Sequence, residues 1–179
     1  YALDYQIGFE VEAGSFEFGK IANVNSSTTD LTIVRDLTSR EAITISATTL
    51  FVTPGADLVA TQAGESVFMK LRSDVFSDNG SSTTDAGHSR VQTNNGEIVF
   101  WVDSDGNSTG GIALGSYFQV NSANGATSSA AVSGGGDVVM AGGATSDSRG
   151  YPTGFAGNGV DAYTDRSIHI REFTGIYTG

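Results

Sequence analysis

The run Ala42-Ile43-Thr44-Ile45-Ser46-Ala47-Thr48-Thr49-Leu50-Phe51-Val52 decides the structural class. Its β-branched residues are stiff at χ1 and pack well on a pleated surface, so it reads as a long strand. The same habit extends in both directions. Toward the N-terminus, Leu3, Tyr5, Ile7, Phe9 and Val11 fall on one face and Ala2, Asp4, Gln6, Gly8, Glu10 and Glu12 on the other. Phe16 and Phe18 with Ile21, then Leu31 and Ile33, follow. Toward the C-terminus come Val67, Met69 and Leu71, then Ile98, Phe100 and Val102. Tyr117 to Val120, Val138 to Met140 and Ser167 to Tyr177 complete the set, while helical periodicity is nearly absent.

Turn chemistry separates these runs: Pro54-Gly55, Asp78-Asn79-Gly80, Asn94-Asn95-Gly96, Asp105-Gly106 and Asn124-Gly125. Asn95-Gly96, between Val91 and Ile98, reads as a hairpin. About ten short strands with this punctuation predict an all-β, single-domain β-sandwich or jelly roll, with a barrel as the lesser alternative. Residues 1–12 read as an N-terminal extended strand and 13–179 as the sandwich, with long polar loops at 77–90, 103–111 and 141–166. No repeat of 20 to 50 residues is sustained along the chain.

Composition narrows the class of function. The 179 residues carry a net charge of −11, with 9 Lys and Arg against 20 Asp and Glu, which opposes a phosphate-binding surface and makes nucleic acid an unsuitable partner. No run approaches the roughly 18 apolar residues of a membrane span. There is no Cys, which excludes a disulfide framework and a thiol nucleophile. Lys occurs only at 20 and 70, so the surface is rich in hydroxyls, amides and carboxylates. The first residues from Tyr1 are not a basic and apolar leader, as expected of a mature chain from which any export signal is already gone; a trimmed chain would look the same.

Asp103-Ser104-Asp105-Gly106-Asn107 is the most chemical motif, because calcium takes six to eight oxygens and alternating Asp and Asn on a tight turn converge them. An EF-hand is excluded: Gly106 comes at the fourth position and Leu114 stands where the closing Glu belongs. A solvated turn favours the same residues, so Asp103, Asp105 and Asn107 are calcium candidates on equal terms with a plain loop. Asp74, Asp78, Asn79 and Asp85 form a second, weaker candidate group, and Asp161 with Asp165 a third. The strand of Leu3, Tyr5, Ile7, Phe9 and Val11 is suited to completing a neighbouring copy's sheet, with Gly14 as its hinge; pairing within its own sheet is the commoner fate of any strand.

Catalysis has little support. The two histidines are His88 in a polar loop and His169 between Ile168 and Ile170, and no Gly-x-Ser-x-Gly elbow is present. Ser133-Gly134-Gly135-Gly136-Asp137 lacks the Lys of a phosphate loop and reads as a flexible connector. Trp101, Tyr151, Phe155 and Tyr163 offer aromatic faces for a glycan, although a core or inter-subunit place suits Trp101 equally.

The segment Ala13-Gly14-Ser15-Phe16-Glu17-Phe18-Gly19-Lys20-Ile21, with the strand before it, resembles the opening of extracellular fibre proteins of the camelysin/TasA type and of archaeal cannula subunits. The resemblance covers about twenty residues by pattern and implies a jelly-roll subunit polymerised by strand donation, with calcium at subunit contacts. The expected function is a non-enzymatic, secreted subunit that self-assembles into filaments or tubules. A calcium-dependent carbohydrate-binding module and a virion structural protein are the alternatives.

Overall fold

The computed structural model describes residues 17–18, 21–25, 30–77, 88–124, 134–154, 168–172 and 174–178. Among these, every regular element is a strand. The 42–52 run does not stay straight: Ile43–Ala47 and Leu50–Val52 are separate strands in different sheets, with the corner at Thr48 and Thr49. That bend is the key to the architecture.

Sheet A stacks β1 (Glu17–Phe18), β4 (Leu37–Ser39), β7 (Asp57–Ala63), β10 (Ser89–Asn94), β13 (Phe118–Asn121) and β17 (Gly175–Tyr177) in that order. Sheet B stacks β2 (Ile21–Asn25), β5 (Ile43–Ala47), β8 (Val67–Leu71), β11 (Ile98–Val102), β14 (Val138–Ser146) and β15 (Pro152–Gly154). Sheet C stacks β3 (Leu31–Ile33), β6 (Leu50–Val52), β9 (Val75–Ser77), β12 (Ile112–Leu114) and β16 (Ile168–Ile170). Successive strands visit C, A and B in turn, and each pairs in parallel with the strand one coil away. Among the described strands only β14 with β15 pairs antiparallel, alongside one isolated antiparallel bridge between Asn94 and Ala123. The chain is a coil of three parallel walls, a β-solenoid.

This corrects the expected sandwich or jelly roll. Those folds join antiparallel neighbours by hairpins, whereas here each turn directs the chain onto the next wall and hydrogen bonding waits for the following coil. Asn95-Gly96 is therefore a corner between sheets A and B, not a hairpin; Asn95 takes the positive φ of 61° that its residue type tolerates. Residues 141–146 and 152–154, expected in a long loop, belong to β14 and β15.

Alternation sets which side chains fill the coil. In β5, Ile43, Ile45 and Ala47 point in and are buried, while Thr44 and Ser46 are half-exposed. Register then stacks like on like. Ile43, Val67, Ile98 and Val138 form one column, and Ile45, Met69, Phe100 and Met140 the next. On sheet C, Leu31, Leu50, Val75, Ile112 and Ile168 align; on sheet A, Leu37, Leu58, Val91, Val120 and Ile176. These columns merge into one core, in which Phe100 and Phe118 are the largest fully buried side chains. Along the first column the step lengthens from 24 to 31 to 40 residues, because the corners carry insertions of different size. A coil this uneven leaves no fixed period in the sequence.

Outside sheet B a second, smaller cluster forms. Val99, Trp101 and Tyr151 are buried together, flanked by Phe68 and Val139. Trp101 donates its Nε1–H to the Gly143 carbonyl at 2.7 Å, lies 4.1 Å beneath the Lys70 ammonium and meets Phe68 edge-on. Its indole is packing, 5% exposed, and is not open to stack on a glycan. Among the described residues, no helix is long and apolar enough to cross a membrane.

Candidate functional site

The residues singled out for calcium are described in part. Asp78 and Asp85 lie outside the described residues, as do Asn79, Asp161 and Asp165, and so do Leu3, Tyr5, Ile7, Phe9 and Val11. Asp103, Asp105, Asn107 and Asp74 sit at the corner between sheets B and C, where residues 103–111 form an insertion after β11. Asp103 is 4% exposed with φ 49°, and its Oδ1 accepts the Ser108 N–H at 3.0 Å. Asp105 accepts the Asn107 side-chain amide at 3.1 Å and pairs with the exposed Arg72 at 3.3 Å. Asn107 Oδ1 accepts the Thr109 N–H at 2.8 Å. Asp74, from the coil below, is 4% exposed and accepts the Gly111 N–H at 2.7 Å and the Ser73 hydroxyl at 2.6 Å.

The oxygens thus serve the loop's own donors, which is how a corner insertion closes without orphaned amides. Among the described residues, no group of three or more His, Cys, Asp and Glu side chains converges. The loop's stability follows from this. Asp74→Ala removes a charged acceptor from a buried N–H and is expected to cost about 2–3 kcal/mol. Asp105→Ala removes an exposed pair and is expected to cost at most about 1 kcal/mol. Urea unfolding of both variants checks the order; equal losses contradict the assignment of Asp74 as the fastening residue.

A different constellation lies on the outer face of sheet A. Because Leu58, Val91 and Val120 point inward, the neighbouring Asp57, Arg90 and Gln119 point out. Asp57 registers with Arg90, and Arg90 with Gln119, so side chains far apart in sequence form one row across three coils. The Arg90 Nε donates to Asp57 Oδ2 at 2.8 Å, and the Arg90 backbone N–H to Oδ1 at 3.1 Å. Asp57 N–H reaches back to Asp36 Oδ1 at 3.1 Å.

His88 precedes β10 and joins the row: its Nδ1 lies 3.2 Å from Gln119 Nε2, and its ring stacks on Tyr117 with centroids 5.4 Å apart and planes at 18°. Tyr117 has φ 63°, a left-handed conformation that costs a non-glycine residue about 1–2 kcal/mol. Asp57, His88, Arg90 and Gln119 enclose a shallow cavity of about 50 Å³. Burial raises the Asp57 pKa above its ordinary 3.8; Arg90 pulls it back down, and Asp36 adds a smaller upward push. The row offers a neutral ion pair, an amide and an imidazole: matched donors and acceptors, with an aromatic flank.

No protein-family model matches the chain, and no curated protein or solved structure matches it. Of the row, sequence reading reached only His88, and placed it in a loop. Asp57, Arg90 and Gln119 carry no local motif; the coil's register is the signal that unites them.

A third feature is the C-terminal end of the coil. Ile168 and Ile170 of β16 and Ile176 of β17 take inward register positions beside Ile112, Leu114 and Val120. They are nevertheless 38%, 42% and 42% exposed, while their partners are fully buried.

Proposed function

We propose that this chain is a non-enzymatic, extracellular structural subunit that lengthens by joining a second copy to its C-terminal coil. The partly exposed inward column at Ile168, Ile170 and Ile176 carries this reading. Solenoids need a polar cap at each end to stay apart, and an apolar end with strand edges at β16 and β17 is a template for another strand. A second copy's Leu3, Tyr5, Ile7, Phe9 and Val11 has the alternation to fill such an edge, with backbone hydrogen bonds for affinity and apolar side chains for register. Each of these Ile has about two-fifths of its surface left to bury, so its full burial contributes roughly 0.6–1.2 kcal/mol, before the cost of ordering the donor strand. At −11 per copy, acidic surfaces oppose the contact, and calcium at the acidic corner loops would relieve that repulsion.

Negative-stain electron microscopy tests the proposal on the purified chain in millimolar calcium and in chelator. Filaments or tubules are expected from the wild type, and dispersed particles from Ile170→Lys and from a chain lacking residues 1–12. Circular dichroism should be unchanged in both variants. Dispersed wild-type particles in both solutions would overturn self-assembly. Normal filaments from the shortened chain would remove strand donation.

A further inference from the structure

We propose that the outer row of sheet A, Asp57, Arg90 and Gln119 with His88 and Tyr117 beside it, is a binding site for the hydroxyl edge of a neutral saccharide. This goes beyond assembly and uses a different surface, so either proposal can fail alone.

The ligand class follows from charge and valence. The Asp57–Arg90 pair is neutral as a unit, and the chain around it is strongly acidic, which disfavours an anionic ligand. Asp36, hydrogen-bonded to the Asp57 amide, adds a further negative charge at the same corner. A simple cation is no better served, because the guanidinium already engages the carboxylate at 2.8 Å. A pair of adjacent hydroxyls suits such a row: each hydroxyl both donates and accepts, so one donates to the carboxylate while accepting from the guanidinium or the amide. Arg90 pairs through Nε and its side chain is 46% exposed, which presents the far end of its planar fork outward.

Size points the same way. A cavity of about 50 Å³ admits a few water-sized groups rather than a whole ring, so a sugar would insert its hydroxyls and leave its ring against the rim. Tyr117, stacked on the lining residue His88, would give that rim its aromatic face. It is held in a left-handed backbone conformation, where glycine would be easier, with its ring parallel to His88. Strain of this kind in a residue beside a polar cleft points to a side chain kept for where it places its ring. Arg90 and Gln119 follow adjacent strands one coil apart, so the row continues along the coil axis and favours an extended oligosaccharide over a monosaccharide.

The test is a ¹H–¹⁵N correlation titration of the whole chain with maltohexaose, cellohexaose and mannohexaose, and with oligogalacturonate as the anionic arm. At millimolar ligand, shifts are expected for at least one neutral oligosaccharide, centred on Asp57, His88, Arg90, Tyr117 and Gln119. Gln119→Ala is expected to weaken that binding up to about tenfold, since one hydrogen bond to the hydroxyl edge is lost. Tyr117→Gly relieves the backbone strain, which offsets loss of the His88 stacking, so it should keep the fold and still lose binding; unchanged amide shifts at Leu58, Val91 and Val120 would verify its coil. No shift with any neutral ligand, shifts centred elsewhere, preference for oligogalacturonate, or full binding by both variants would each overturn the proposal.

Discussion

Gly96→Ala is expected to destabilise the coil by more than about 3 kcal/mol, above the usual range for overpacking. Gly96 opens the corner from sheet A to sheet B, two residues before Ile98, and stacks on Glu65, two residues before Val67. A Cβ on Gly96 would lie inside the Glu65 carbonyl, and one on Gly136, at the same corner of the next coil, inside the Gly96 carbonyl. The obstacle is backbone, so no side-chain rotation relieves it. Relief would need the coils to separate where Val67 N–H bonds Glu97 O at 2.9 Å and Ile98 N–H bonds Asp137 O at 2.9 Å. Gly64→Ala is the control: its φ of 81° penalises a side chain by about 1–2 kcal/mol, but its Cβ would meet nothing within 4 Å. Denaturant midpoints of the two variants separate the effects. A Gly96→Ala loss no larger than that of Gly64→Ala would refute the close-stacking account.

The same glycines show why the fold was only half legible. Strands and corners could be read locally. Ile43 and Ile45, Val67, Met69 and Leu71, and Ile98, Phe100 and Val102 alternate as their buried rows do, and Pro54-Gly55, Asn95-Gly96 and Asp105-Gly106 are all corners. Pairing could not be read. Asn95-Gly96 has the local chemistry of a hairpin, and only contact with Glu65 of the previous coil makes it a corner. Ser133 to Asp137 looked like a flexible connector, yet Gly136 is there because another backbone passes close by. Insertions of unequal length hid the repeat that would have announced a solenoid. Trp101 stayed open between a glycan face and the core for a related reason: alternation puts it on the outer face, and Tyr151, fifty positions later, covers it. The polar row suffered most, since Asp57, Arg90 and Gln119 are neighbours only through register.

Phe100→Ala is expected to cost about 3–5 kcal/mol, a large share of the roughly 5–15 kcal/mol that holds a domain folded. Phe100 is fully buried in the column of Ile45, Met69, Phe100 and Met140, with coils on both sides. Its removal leaves a cavity that parallel hydrogen bonds on each side keep from collapsing, so the loss should exceed the transfer term alone. Met69→Leu keeps the volume and should cost less than about 1.5 kcal/mol. In a solenoid the damage should also be local, because stability is a sum over neighbouring coils. Hydrogen exchange should therefore accelerate most in β8, β11 and β14, which meet at Phe100, and less in β3 and β6 near the other end. Equal acceleration throughout would show instead that the chain unfolds as one cooperative unit. In that case a copy stacked on Ile168, Ile170 and Ile176 would protect the whole coil against exchange, and not its last turn alone.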